Sequence, residues 1–141
     1  SQLTFHVAPQ GKAAATGSAN HPFGTLEAAR DALRAYRAQH GLPTGGARII
    51  LQGGDYWREQ TLELDQRDGG EPGSPVVWQA APGARPRLLG GRRLHTTTPV
   101  TDPAILERLS PPARAAVRQI DLRAHGILNP GQLRSRGFSR A

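Results

Sequence analysis

The stretch His21-Pro22-Phe23-Gly24-Thr25-Leu26-Glu27-Ala28-Ala29-Arg30 opens the most clearly periodic segment of the 141-residue chain. Thr25 is placed to cap the amides of a first helical turn, and Glu27 sits where the helix dipole favours an anion. Leu26, Ala29, Leu33 and Tyr36 recur at helical spacing as one apolar stripe. Gly41 and Pro43 stop the run, so an amphipathic helix is expected over residues 25–40. Arg30, Arg34 and Arg37 fall on its remaining faces, where water is expected.

The flanks read as short strands and turns. Residues 4–8 alternate, with Phe5 and Val7 on one face, and a polar, Ala- and Gly-rich loop is expected over 10–20. After a turn at 43–46, the run Ile49-Ile50-Leu51 within 48–52 has the pattern of a strand buried on both faces, ending at Gly53-Gly54. Further strands are expected at 61–64, 76–80 and 87–89, each bounded by Gly, Pro or Asp. The connections between them lack a helical apolar period and read as turns. Beyond Pro99, Asp102-Pro103 is a helix start, with a short helix at 104–109, further helical turns at 111–116 and a strand at 117–122. From residue 123 onward, Gly126, Pro130, Gly131 and Gly137 leave mostly loop.

Composition narrows the function classes. Leu, Ile, Val and Phe together number 28, a thin core supply, while 17 Gly and 12 Pro imply many turns. No stretch approaches the roughly 20 apolar residues of a membrane span. Without cysteine there are no disulfides, zinc–thiolate sites or thiol nucleophiles. Methionine is absent too, so Ser1 is expected to follow a removed segment, either a signal peptide or a trimmed boundary. The net charge of +7 is uneven: residues 1–80 carry 7 basic and 8 acidic side chains, residues 81–141 carry 11 and 3. The arginines are scattered and almost no aromatic ring lies among them, a pattern that argues against nucleic acid and for a solvated or covered face.

Several short words in order carry a family resemblance: the His21–Arg30 stretch, Gly53-Gly54-Asp55-Tyr56, Pro75-Val76-Val77-Trp78-Gln79-Ala80-Ala81-Pro82-Gly83, Leu89-Gly90-Gly91, Asp102-Pro103-Ala104 and Arg136-Gly137-Phe138. The chain resembles the N-terminal region of right-handed parallel β-helix proteins of the pectin-lyase-like superfamily, in particular the glycoside-hydrolase branch. The resemblance implies a mainly β fold with helices, in which the helix after Thr25 caps one end and strands near residues 48, 61, 76 and 87 build the first coils. It implies one cap region with three parts: strand, loop and helix over 1–46, first coils over 47–98, and short helices, strand and loop over 99–141. The whole protein would be a secreted or periplasmic bacterial enzyme hydrolysing a polysaccharide, with a polysaccharide lyase as the other possibility. Catalytic carboxylates in such enzymes usually sit on later coils, so this chain alone is expected to be inactive. Its partners would be a polysaccharide or oligosaccharide and the downstream coils, with no membrane and no cofactor. The segment Gly11-Lys12-Ala13-Ala14 departs from relatives that carry acidic residues after the glycine.

The residues themselves offer few catalytic groups. Glycoside hydrolysis needs two carboxylates flanking the bond. Glu63 and Asp65 would share a strand face turned to solvent, and the catalytic residues stay unassigned. Asp65-Gln66-Arg67-Asp68-Gly69 has arginine at the third ligand position of a calcium loop and reads as a turn. The five histidines, His6, His21, His40, His95 and His125, lack metal-ligand spacing, so no metal site is expected. Tyr56, Trp57 and Arg58 are the candidate carbohydrate contacts, because an aromatic face suits the apolar side of a pyranose. Trp78, inside an apolar strand, is expected in the core. The competing function is a non-catalytic carbohydrate-binding or interaction module using Trp57 and the arginines after residue 81.

Overall fold

A computed structural model describes residues 1–12 and 14–132, in two compact units, Ser1–Arg92 and Arg93–Ala141. Unit 1 contains strand β1 (Leu3–Lys12), helix α1 (Leu26–His40) and strands β2 (Ala47–Leu51), β3 (Gly54–Arg58), β4 (Val76–Ala80) and β5 (Pro86–Gly90). β1, β2 and β4 form one parallel sheet in that spatial order, and β3 pairs in parallel with β5 in a second. Parallel neighbours need long crossovers. The first is α1, between β1 and β2. The chain then steps from β2 to β3 in the other sheet and repeats the step from β4 to β5. Ala47 lies opposite Val76 and Gly54 opposite Pro86, offsets of 29 and 32 residues. Unit 1 is mixed α/β, with small parallel sheets.

Helix α1 forms as its residues dictate. Thr25 Oγ1 accepts from the Ala28 amide at 3.1 Å, and the Gly41 amide, at φ 71°, closes the last turn on the Arg37 carbonyl at 2.8 Å. Leu26, Ala29 and Leu33 are buried in the cluster that holds Val7, Phe23, Ala47, Ile49, Leu51 and Tyr56. Tyr36 is only half-buried and lies against His40, with ring centroids 4.8 Å apart. Trp78 is half-buried, opposite Ile49 in the sheet and packed on the core. Gly46 is required where it stands: at φ 75°, a Cβ there would lie 1.8 Å from the Pro75 carbonyl oxygen.

Four features depart from the sequence expectations. First, β1 continues to Lys12, three residues into the expected loop. Its free edge is satisfied by the loop itself, through the Gly17 carbonyl on the His6 amide and bridges from Val7 and Lys12 to Phe23. Second, residues 61–64 are not a strand; the second strand of that part is β3, which starts at the Gly54 that looked like a stop. Third, the arginines of α1 do not simply face water. Arg30 donates to the Glu63 carbonyl (3.1 Å), Arg34 makes a two-pronged contact with Asp68 (2.8 and 2.5 Å), and Arg37 donates to the Gly69 carbonyl (2.7 Å) and to Glu71 (2.5 Å). Together they strap the 61–74 loop to the helix. Within that loop, Asp65 and Asp68 cap a single 3₁₀ turn, Gln66–Asp68, so a turn is what this segment forms.

Fourth, unit 2 is sparser than its sequence pattern. It contains β6 (Thr98–Pro99), α2 (Pro103–Glu107), α3 (Pro111–Ala116) and β7 (Arg118–Gln119), with β6 and β7 antiparallel. The helix expected to reach residue 109 stops at Glu107, and the strand expected over 117–122 shrinks to two residues. Asp102 caps α2 through the Ala104 amide at 2.9 Å. Residue 13 and the Arg136-Gly137-Phe138 word lie outside the described residues. No helix among the described residues is long and apolar enough to cross a membrane.

Candidate functional site

The N-terminus of α1 and strand β3 enclose a cleft of ≈ 410 Å³. Ligand sites for small molecules commonly fall within about 300–1,000 Å³. The crossover α1 brings Thr25 and Glu27 beside Asp55, Trp57, Arg58 and Gln60. Pairing of β3 with β5 then fixes which side chains of the strand turn inward.

The three candidate contact residues occupy different environments. Tyr56 is 4% exposed, and its hydroxyl donates toward the carbonyl oxygens of Gln52 (2.8 Å) and Val7 (3.0 Å). Burial pushes its phenol pKa up. Trp57, its neighbour on the opposite strand face, is 46% exposed and lines the cleft. Arg58 is largely covered: Nη1 donates to Glu27 Oε2 at 3.2 Å, while Nη2 donates to Glu27 Oε1 and to the Gln60 carbonyl. The hydrogen bonds from Arg58 hold the Glu27 carboxyl below the usual carboxylate range.

Two further carboxylates at the cleft are held from β5 and the residues after it. Asp55 accepts from Arg87 at 2.7 and 2.8 Å, and Glu59 accepts from Arg92 at the same two distances. Arg92 holds the Glu59 carboxyl below its ordinary range. Asp55 and Arg87 are register partners across β3 and β5. These pairs were missed from sequence, although a signal exists: an Asp-to-Arg spacing of 32 residues matches the offset of the two strands. Part of the basic excess after residue 80 therefore meets acids from before it.

Asp65 and Asp68 are committed elsewhere. The Asp68 side chain is 2% exposed, accepts from Arg34 and from the Asp65 amide, and is held below the usual range chiefly by Arg34. Asp65 is lowered chiefly by Arg67. Glu63 lies in the strapped loop, not on a strand face with Asp65. Among the described residues, no three His, Asp or Glu side chains converge in a way that would hold a metal ion.

No family model matches the chain, and no curated protein matches it. Among solved structures, 68% of the chain superposes on a glycoside hydrolase with a TM-score of 0.63 and 26% identity. A second superposition, on a rhamnogalacturonan lyase, covers 61% of the chain with a TM-score of 0.42 and 18% identity. The chain spans 16% of the length of the first and 21% of the second. The described fold is thus similar to a part of a carbohydrate-active enzyme.

Proposed function

We propose that the chain is the helix-capped N-terminal part of a glycoside hydrolase built as a right-handed parallel β-helix and acting on a polysaccharide outside the cytoplasm. The observation that carries this reading is the repeated step between sheets: β2 then β3, followed by β4 then β5, each stacking in parallel on its counterpart at an offset of 29 or 32 residues. A chain that keeps taking this step builds a solenoid, whose first coil leaves an apolar end that must be covered. Leu26, Ala29 and Leu33 of α1 bury against the strands at that place. The superposition on a glycoside hydrolase supports the same reading.

In this reading the chemistry resides on later coils. The acids of this chain are mostly engaged by arginines, and none is assigned as general acid or nucleophile. The test is reducing-sugar release on a polysaccharide panel by the longer protein and by residues 1–141 alone. Activity of the longer protein with an inert fragment is the expected result; a longer protein inert across the panel would overturn the proposal.

A further inference from the structure

We infer that the cleft between α1 and β3 is a subsite for a neutral saccharide, with the exposed face of Trp57 as its platform. The inference rests on the carbohydrate reading above and assigns a ligand class to a place remote from the expected chemistry.

Three properties of the cleft lead there. Its volume, ≈ 410 Å³, admits a sugar ring with neighbouring hydroxyls. Trp57 lies on a strand whose next residue inward, Tyr56, is locked by its hydroxyl contacts, so the indole is mounted on a fixed backbone and little ordering is needed on binding. A flat apolar face suits the C–H face of a pyranose. The polar groups are then almost all acceptors: Glu27, Asp55 and Glu59 are each oriented by an arginine. An ionised carboxylate has about four acceptor positions, so a two-pronged arginine leaves sites open to hydroxyl donors.

The same pairs disfavour an acidic sugar. Of the guanidiniums beside the three lining carboxylates, Arg87 and Arg92 are paired with Asp55 and Glu59, and the third is Arg58. That guanidinium is engaged by Glu27 and the Gln60 carbonyl, and its side chain is only 15% exposed. A uronate carboxylate entering the cleft would have to displace a carboxylate from one of these existing pairs, whereas a neutral hydroxyl needs only an open acceptor position.

The test uses the ¹⁵N-labelled 141-residue chain titrated with cellohexaose, xylohexaose, mannohexaose and a galacturonate hexamer. At least one neutral hexamer should shift the Trp57 indole N–H and the Gln60 signals while leaving the Trp78 indole in place. Trp57→Ala should weaken that binding by about tenfold or more, and Trp57→Phe, which retains an aromatic face, should restore much of it. The galacturonate hexamer should bind at least about tenfold more weakly than the neutral one. The inference is overturned if no neutral hexamer shifts these signals, if Trp57→Ala binds as well as the parent while its amide spectrum stays folded, or if galacturonate binds equally. Sugar release by the longer protein together with any of these results would reject the subsite alone and leave the proposed enzyme standing.

Discussion

Unit 1 carries 21 of the 29 Gly and Pro residues and unit 2 only eight, yet it is unit 1 that closes on a core. In unit 1, parallel ladders join residues 29 to 44 positions apart, and nine buried apolar side chains collect between them and α1. In unit 2 the helices have five and six residues, the strands two, and Val100 is the one buried apolar side chain among the described residues. Helices so short are marginal without a face to bury. Long-range pairing, not local propensity, separates the two.

The largest effects should come from the core. Leu33→Ala, at a fully buried position, should lower stability by about 2–5 kcal/mol, whereas Ile105→Ala, 42% exposed on α2, should cost less than about 0.5 kcal/mol. Urea unfolding followed by tryptophan fluorescence reads unit 1, since Trp57 and Trp78 both lie there, and far-ultraviolet circular dichroism, to which the helices of both units contribute, reads unit 2 as well. Equal costs at the two positions would break the contrast between units.

Next comes the strap. Asp68→Asn removes a covered carboxylate from Arg34 and should cost about 2–3 kcal/mol. Loss of Arg67, whose partner Asp65 is an exposed neighbour, should cost much less, because solvent screens that pair. The same denaturation series sharpens this into a ranking within one loop.

Acid should act on unit 1 through the same groups. Asp68 and Glu27 have folded-state pKa values below their ordinary 3.8 and 4.5. Their contribution is therefore complete above those ordinary values and is lost as pH falls through the lower folded ones. Urea midpoints should hold from neutral pH to about pH 5 and fall below about pH 4, and Asp68→Asn should flatten that fall. A midpoint in the parent chain that does not drop on acidification would remove the paired carboxylates from the account.

The smallest contrast lies at helix starts. Thr25→Ala should cost about 1 kcal/mol because its hydroxyl caps α1, while Ser110→Ala should be close to neutral, since the side chain of Ser110 makes no capping hydrogen bond on α3. Thermal melts of both variants decide it.

Much of unit 1 was legible because its signals are local. The periodic stripe of α1, the Ile49-Ile50-Leu51 run and the apolar segments around Val76 and Leu88 all announce their elements within a few residues. Strand β3 was hidden because Gly53-Gly54 reads as a terminator, and only its partner β5 shows that the chain continues extended. Residues 61–64 alternate like a strand, yet Arg30 of α1 takes the Glu63 carbonyl, a pairing across 33 residues that no short window contains. Tyr56, Trp57 and Arg58 were adjacent candidates in the sequence. Strand alternation and Glu27, far away in sequence, give them three separate environments, and the cleft exists only because the crossover brings Glu27 there.

The strap on the 61–74 loop grips in two ways. Arg30 and part of Arg37 hold main-chain carbonyls, of Glu63, Arg67 and Gly69, which any residue would present. At Asp65, Asp68 and Glu71 the helix holds a side chain instead. The loop can therefore change its surface chemistry at many positions while keeping its course, a freedom for variation secured by residues that lie outside it.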